Sequence, residues 1–383
     1  MRMRNSAPGS PRRSAGIHET STETGSSFVW HLRGSRRIAA TTNSKAEMSC
    51  RSAVGWPDRR LMADPGGVAD FPGALVALRG GTHVIESYSG LADHQTGEAC
   101  GPGTRFQLAS VSKQFTAAAT MLLVEQGVLS VTDPIGRWIK PTPPSWNAIT
   151  VHQLLTHTSG LGHWPEYPDV NLYGGVDPDR EITAFRSREL LFPPGSRWRY
   201  SSPGYVLLAH IIERASGEAY AAFLTERVLR HAHLDDTFVG NAHGRPRVAK
   251  GYCDGQPLDS FDLDLVGIGA GDVSSAGVDL AGWIRALGSG PVLKEPSRRT
   301  MFESHAVVGG DRTSTFVSDM HYGYGLFVGR ARGAPVIYHT GDNAGFKAIS
   351  VWLPENDLAL AILSNEESTD LEPVVSRLLQ RLF

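Results

Sequence analysis

The sequence predicts an α+β fold in which both ends of the chain supply strands to one antiparallel sheet. Two strand-like runs follow Phe71, four more occupy the last part of the chain, and the apolar spacing between them is mostly helical. We expect the sheet part, with flanking helices, at about residues 62–109 and 318–383. An inserted, mainly helical part is expected at about 110–317, and a site should lie between the two parts.

The first 61 residues differ from the rest of the chain. They are rich in Ser, Arg, Gly and Thr, and residues 1–60 carry ten Arg and one Lys against three Glu and one Asp. This composition, without hydrophobic periodicity, predicts a disordered basic tail at 1–61. A transit peptide or a nucleic-acid-binding arm is the alternative to a passive tail. Residues 62–383 are expected to form one domain, and Met62 offers an alternative start.

The overall composition is that of an ordinary globular protein. Hydrophobic residues make up 41%, charged residues 20%, and the formal net charge is -2, which indicates neither a nucleic acid nor a membrane as partner. No signal-peptide pattern and no apolar run of about eighteen residues occurs. Cys50, Cys100 and Cys253 are scattered and odd in number, which is typical of a reducing compartment. We therefore expect a cytoplasmic protein.

The first elements follow from turn and helix signals. Gly80-Gly81 separates two apolar, β-branched runs, which predicts a hairpin. In TRFQLASVSKQFTAAATMLLVEQG, from Thr104, apolar residues recur at spacings of three and four. This pattern predicts a helix that begins near Ser110, is buried along one face and ends at Gly127.

The later elements are predicted in the same way. Phe192–Ser202 is expected to be a loop because it contains two prolines and a glycine, and Tyr205–Ser216 a helix capped by Gly217. The four late strands start at His321, Ala334, Phe346 and Leu358, and an amphipathic helix from Leu371 to Phe383 closes the chain.

The helix near Ser110 carries the first chemical signal. Lys113 follows Ser110 by three residues, so its amine should lie on the same helix face, one turn further on. A serine hydroxyl becomes an effective nucleophile when a neighbouring base takes its proton. The helix dipole and burial would both disfavour the ammonium form of Lys113, so a neutral amine is available as that base.

Six separated segments strengthen this signal. They are FQLASVSKQFTAAATMLLVEQGVLSVTDPI, ITVHQLLTHTSGL, FPPGSRWRYSSPGYVLLAHIIE, GAGDVSSAGVDLAGW, YGYGL and HTGDNAGF. Together, and in this order, they resemble the serine β-lactamase-related family, which includes class C β-lactamases, DD-peptidases, D-aminopeptidases and esterases. The resemblance runs from about Phe71 to the C-terminus and leaves out the first sixty residues.

The resemblance implies roles for the matching residues. Ser110 would be the acylated nucleophile and Lys113 its partner. Tyr200 opens the second motif and, as a phenolate stabilised by Lys113, would take the serine proton and later return one to the leaving group.

The third motif matches at His339-Thr340-Gly341, on a strand edge that should face the serine. Thr340 and Gly341 would let a substrate backbone lie close, and His339 would offer it a proton or a partial positive charge. The backbone amides of Ser110 and Asp342 would form the oxyanion hole.

Two positions depart from the family pattern. Many relatives end the second motif in Asn, whereas this chain has Ser202, which lacks an amide to orient a substrate. His339 replaces the lysine typical of β-lactamases, so a permanent cation is lost. Purely structural interpretations are a packed aromatic for Tyr200, a strand histidine for His339 and a helix cap ahead of Pro203 for Ser202.

Other motifs carry little weight. His231-Ala232-His233-Leu234-Asp235-Asp236 approaches a metallo-hydrolase pattern but lacks a distant ligand set, so neither a metal nor a cofactor is expected. Gly-x-Ser-x-Gly does not occur, which argues against an α/β-hydrolase serine.

The sequence thus predicts a metal-free serine hydrolase that acts through an acyl-enzyme on small esters or D-amino-acid-type amides, with weak or no β-lactam turnover. An acyltransferase of the same fold, a penicillin- or peptide-binding protein without turnover, and a protein that binds nucleic acid through its basic tail are the alternatives. The expected partner is a small-molecule or short-peptide substrate, with neither nucleic acid nor membrane, and the oligomeric state is left open.

Overall fold

The computed structural model describes residues 71–173, 178–261, 263–264, 267–309 and 312–383. The expected tail at 1–61 and the expected domain start at Met62 lie outside these residues. Within the described ranges, no helix combines the length and the apolar character that a membrane crossing requires.

Fifteen strands and eight α-helices make up the regular structure of the described residues. The strands are β1 Gly73–Arg79, β2 Thr82–Ser89, β3 Leu91–Asp93, β4 Glu98–Ala99, β5 Arg105–Gln107, β6 Thr237–Val239, β7 Tyr252–Cys253, β8 Gln256–Pro257, β9 Val273–Ala276, β10 Ala306–Val307, β11 Ser318–Tyr322, β12 Phe327–Ala331, β13 Ala334–Asn343, β14 Phe346–Leu353 and β15 Leu358–Ser364. The helices are α1 Lys113–Glu125, α2 Val151–Leu155, α3 Pro178–Arg186, α4 Ser202–Ser216, α5 Tyr220–Leu224, α6 Gly277–Ser289, α7 Glu295–Phe302 and α8 Glu372–Leu382.

The main sheet confirms the predicted α+β fold. It has eight strands in the order β10-β11-β12-β13-β14-β15-β1-β2, so β1 pairs with β15 from the other end of the chain. The predicted hairpin joins β1 to β2 through Gly80 and Gly81. Both glycines have positive φ, 58° and 80°, a conformation that glycine adopts without steric cost.

Helices cover both faces of the sheet. Side chains of β1 alternate: Ala74 and Val76 join a core that includes α6, while Leu75 and Ala77 join a second core that includes α8. This alternation is the period of two expected for a strand buried on both sides. The sheet is therefore buried on both faces, and the helices pack against it.

Three boundaries differ from the sequence predictions. The sheet begins at Ala306 rather than near residue 318, because the short strand β10 pairs with β11. Strands β6 and β9 of the expected helical part pair with β5, just before it, in a three-stranded sheet, β5-β9-β6. Helix α4 begins at Ser202 rather than Tyr205, because the Ser201 hydroxyl accepts a hydrogen bond from the Gly204 amide and caps the helix.

Candidate active site

Ser110 lies in a tight turn rather than in the α-helix itself. A 3-10 turn, Ala109–Ser112, precedes α1, and Ala109 has a φ of 48°, in the left-handed region that non-glycine residues rarely adopt. Strand β9 holds the turn through two bonds: the Leu108 amide donates to the Val273 carbonyl at 2.8 Å, and the Val273 amide donates to Ser112 Oγ at 3.0 Å. These two hydrogen bonds fix the turn that places Ser110 at the start of α1.

Lys113 is fully buried and contacts three oxygens. Its Nζ lies 3.0 Å from Ser110 Oγ, 3.1 Å from Ser202 Oγ and 2.8 Å from the Ala270 carbonyl oxygen. Burial, and then the charge of Arg312, lowers the pKa of Lys113 well below its ordinary value, while Asp272 opposes the shift. A neutral amine has two hydrogens and one lone pair, so it can donate to Ala270 and Ser202 and accept the Ser110 proton.

The Tyr200 ring lies beside this amine. Lys113 Nζ is 5.0 Å from the ring centroid, and the loop that carries Tyr200 is fixed by His157, whose carbonyl accepts the Arg199 amide at 2.9 Å and whose Nδ1 accepts the Ser201 amide at 3.2 Å. The structure therefore brings Ser110, Lys113 and Tyr200 together from two segments of the chain.

The Tyr200 hydroxyl is held as a neutral phenol. Burial raises its pKa to about 12, although Arg312 and hydrogen bonding to Ser110 act in the opposite direction. The Ser110 contact is looser than a standard hydrogen bond, since the buried hydroxyl has no partner of good geometry among the described residues. Catalytic hydrogen bonds are often long before substrate binds. Burial therefore disfavours the phenolate expected from the sequence, and the proton-transfer role of Tyr200 stays a prediction.

Ser202 contacts Lys113 directly. It is the first residue of α4, is nearly fully buried, and its hydroxyl receives the 3.1 Å bond from Lys113 Nζ. The helix-cap interpretation applies to Ser201 instead, because the Ser201 hydroxyl is the one that accepts an amide of the first turn.

His339 is placed differently from the expectation. Its ring is fully buried; Nδ1 lies 2.6 Å from the Thr340 carbonyl oxygen and Nε2 lies 3.0 Å from the Tyr322 hydroxyl. A carbonyl only accepts, so the proton is on Nδ1 and Nε2 accepts from Tyr322. Burial, Lys113 and Arg312 hold the pKa of His339 well below its usual range. Both ring nitrogens of His339 therefore have partners within the protein, and the predicted donation to substrate requires one of these hydrogen bonds to break.

The edge of β13 next to the nucleophile turn is open to pairing with an extended substrate segment. Pairing with β12 stops at Tyr338, so residues 339–343 have no paired strand on that side within the described sheet. A Cβ on Gly341 would stand 2.1 Å from the Leu108 carbonyl oxygen, so only glycine allows β13 to approach the nucleophile turn this closely. Asp342 points its carboxylate outward to Lys347 at 2.6 Å, which leaves its backbone amide as the candidate oxyanion donor.

Sequence reasoning missed three contributors. Arg312 donates to Thr340 Oγ1 at 2.9 Å, and its guanidinium lies 4.9 Å from the Tyr200 ring centroid. His157 and His163 each accept a backbone amide of the second motif, from Ser201 and Ser202 respectively, at 3.2 Å. The segment ITVHQLLTHTSGL is one of those that resemble the family, but no pattern in a single sequence indicates that its histidines contact residues about forty positions later.

Metal-ligand groupings among the described residues are weak. His231 is exposed and lies against the Glu226 backbone carbonyl. Cys253, Asp254 and Glu366 approach within 4.8 Å of one another. The Glu366 carboxylate already accepts the Asp254 and Gly255 amides, at 2.9 and 3.0 Å, so these residues are engaged in holding a turn.

The fold and the grouped side chains define a serine hydrolase of the β-lactamase fold: a buried lysine beside a turn-borne serine, next to a tyrosine, against the edge of an antiparallel sheet. The chain belongs to the Beta-lactamase family, which matches residues 59–382.

Relatives of this chain have several activities. A penicillin-binding protein from Bacillus subtilis (strain 168) is 28% identical over 335 residues, which cover 82% of this chain and 72% of its own. Esterase EstB from Burkholderia gladioli is 36% identical over 200 residues, 48% of this chain and 50% of its own. The crystal structure of D-amino acid amidase from Ochrobactrum anthropi SV3, complexed with L-phenylalanine, superimposes with a TM-score of 0.69 at 26% identity, covering 81% of this chain and 92% of that one.

Proposed function

We propose that this protein hydrolyses small esters or D-amino-acid-type amides through an acyl-enzyme on Ser110. The observation that carries the proposal is the 3.0 Å contact between Ser110 Oγ and the fully buried Lys113 Nζ, whose three hydrogen-bond partners among the described residues include no carboxylate. Such an amine can be neutral near neutral pH and so can accept a proton.

The reaction follows from this arrangement. Lys113 takes the Ser110 proton as Oγ attacks the substrate carbonyl, and the oxyanion is held by the backbone amides of Ser110 and Asp342. Tyr200, a neutral phenol, relays a proton to the leaving alcohol or amine. Water then attacks the acyl-enzyme, Lys113 takes its proton, and Ser110 recovers its hydrogen as the acid leaves.

The surroundings favour these substrates over β-lactams. Ser202 offers a hydroxyl that Lys113 already uses, and no side-chain amide stands at this position. Arg312 supplies the permanent cation that His339 does not, beside Thr340 Oγ1. This cation suits a substrate carboxylate, which D-amino-acid peptides and β-lactams both carry, so the preference against β-lactams rests on Ser202. The amidase and esterase names among the relatives support the same classes.

A second candidate is a penicillin-binding protein that is acylated but releases its product slowly. The observation that favours it is Ser202, because deacylation needs a well-oriented substrate and this hydroxyl is committed to Lys113. In this case Ser110 would be labelled by a β-lactam and would keep the label.

Intact-protein mass spectrometry tests the proposal. Wild type and Ser110→Ala are incubated with a fluorophosphonate, a β-lactam and a short-chain ester. We expect the fluorophosphonate to label wild type alone, and wild type alone to consume the ester. Equal labelling of both proteins would remove Ser110 from the mechanism, and a stable β-lactam adduct without ester turnover would favour the second candidate.

The setting proposed for this activity is cytoplasmic, with a small molecule or short peptide as the partner. Cys100 and Cys253, the two described cysteines, are both free, as is usual in a reducing compartment. Quantifying free thiols in protein isolated from its native cells tests this: oxidised cysteines would contradict it.

A further inference from the structure

His163 stands next to the residues already described but has no part in the reaction above. It follows Gly162 in the loop after α2, the residue is partly exposed, and its ring meets the Tyr200 ring edge-on at a centroid distance of 5.4 Å. Its backbone amide is fixed by the Glu166 carboxylate at 2.7 Å. Both the ring and the backbone of His163 are therefore held in place.

The hydrogen bonds of His163 determine where its proton lies. Nδ1 accepts the Ser202 backbone amide at 3.2 Å, so the ring hydrogen must be on Nε2. Burial and the nearby charges of Lys113, Arg199 and Arg312 lower the pKa of His163 to about 3, which agrees with a neutral ring. His163 is thus a permanent N–H donor at Nε2 across the working pH range.

This Nε2–H has no partner among the described residues, yet it is not enclosed. The buried nitrogens without partners include Nε2 of His157 and of His210 but not that of His163. The rings of His157 and His163 both accept a backbone amide through Nδ1 at 3.2 Å. Nε2 of His157 is buried, whereas Nε2 of His163 is accessible to a ligand. A fixed, neutral and accessible donor beside Ser202 and Tyr200 is suited to bind a carbonyl oxygen.

We propose that His163 Nε2–H binds a second carbonyl on the acyl side of the substrate, as in the amide of an N-acyl-D-amino acid, and so supplies the donor that the Ser202 hydroxyl cannot. This inference rests on the proposed function. Nε2 donates to the substrate amide oxygen while Nδ1 keeps the Ser202 amide, so no proton is transferred. His163 orients the acyl group, and the bond-making steps stay with Ser110, Lys113 and Tyr200.

Two esters with the same leaving group test the inference. The p-nitrophenyl ester of N-acetyl-D-alanine has an acyl-side amide, and p-nitrophenyl acetate has none. We expect His163→Phe to lower kcat/KM for the first ester about tenfold or more beyond its effect on the second, because only the first loses a hydrogen bond to Nε2. A loss shared by both esters reports the Ser202 amide, which Phe cannot accept. His163→Asn, whose side chain can both accept the Ser202 amide and donate, should recover most of the loss.

The controls separate this inference from the proposed function. His231→Phe makes the same change at an exposed histidine and should leave the ratio of the two rates unchanged. Equal loss on both esters in His163→Phe, with wild type active on both, would overturn the role of His163 alone. A wild type inactive on both esters would instead overturn the proposed function. If His163→Phe does not fold, His163→Leu provides the same comparison, with folding checked by circular dichroism.

Discussion

At the scale of single residues, the candidate site depends on buried groups kept neutral by their surroundings. Lys113, His157 and His339 all have pKa values lowered mainly by burial, and Tyr200 has its pKa raised for the same reason. The permanent charge among them is Arg312, which lies against the Tyr200 ring. Because burial disfavours the charged form of Lys113, the amine is neutral at rest and, in the proposed reaction, is free to accept the Ser110 proton as Oγ attacks.

Lys113→Arg tests the role of the lysine as a base. Arginine remains charged and cannot accept the serine proton, so we expect kcat/KM for an ester to fall on the order of a thousandfold. Lys294→Arg, at an exposed position, is the matched control and should retain wild-type activity. Retention of most activity in Lys113→Arg would show that another group takes the proton.

The pH dependence of the rate follows from the same lysine. Activity needs neutral Lys113, so kcat/KM should rise with pH through a midpoint well below the usual lysine value of about 10.4. Asp272 raises the pKa of Lys113, so Asp272→Asn should move this midpoint to lower pH. Rate profiles of both proteins measure the effect, and a wild-type midpoint near the usual value would contradict the buried neutral amine.

The sequence predicts the site residues that belong to recognisable motifs, but not those that only the tertiary fold brings to the site. Ser110 and Lys113 are one helical turn apart and Tyr200 opens a recognisable motif, so residue pattern was sufficient to find them. Arg312 and His163 reach the site from separate loops, and their contacts depend on the tertiary fold. The inward orientation of His339 follows from Tyr322, a partner that no local pattern indicates.

At the scale of elements, close packing of β13 against the nucleophile turn sets the site geometry. In Gly341→Ala the new Cβ would meet the Leu108 carbonyl 2.1 Å away, so we expect the free energy of unfolding to fall by about 2 kcal/mol or more, with a loss of activity. Gly282→Ala, in α6 with open space around its Cβ, should instead stabilise by about 1 kcal/mol or less. Urea denaturation compares the two variants, and equal effects would contradict the packing argument.

Helix α3 contains a carboxyl group that should make stability depend on pH. Glu181 is buried, neither of its oxygens has a partner among the described residues, and burial raises its pKa to about 9. The folded state keeps the proton that the unfolded state releases above its ordinary pKa, so wild type loses stability as pH rises towards 9.

Glu181→Gln removes this loss. Its stability advantage over wild type should grow by up to about 1.4 kcal/mol per pH unit above the ordinary glutamate pKa and disappear at acid pH. Thermal unfolding at several pH values measures it, and a difference that does not change with pH would contradict the assignment.

Element boundaries show where sequence reasoning stopped. The hairpin, the strands from Ala334, Phe346 and Leu358 and the closing helix are predicted correctly because turn residues and apolar periods mark them. The run from His321, predicted as one strand, covers the end of β11, a turn and the start of β12. The predicted start of α4, Tyr205, lies three residues after the observed start. Ser201 and Ser202 are both residue types that cap helices, and only the hydrogen bond from the Gly204 amide to the Ser201 hydroxyl distinguishes them. The small sheet β5-β9-β6 was missed because three- and four-residue strands leave too short a pattern.

At the scale of the whole molecule, both ends of the described chain build one sheet, and this topology requires the chain from β1 to α8. Every candidate site residue, and every strand that the structure describes, lies beyond residue 70. We therefore expect a chain that starts at Met62 to fold and to hydrolyse esters as the full chain does. Thermal unfolding and ester hydrolysis test it, and a loss of either would show that residues 1–61 contribute to the domain.

Acid quenching tests most directly whether the reaction passes through an acyl-enzyme on Ser110. Wild type mixed rapidly with p-nitrophenyl acetate is quenched in acid, digested and mapped by mass spectrometry. We expect an acetyl group on the peptide that contains Ser110, at Ser110 itself, and none in Ser110→Ala. Turnover by wild type with no acyl group on Ser110 at any quench time, or an equal acyl group in Ser110→Ala, would contradict it.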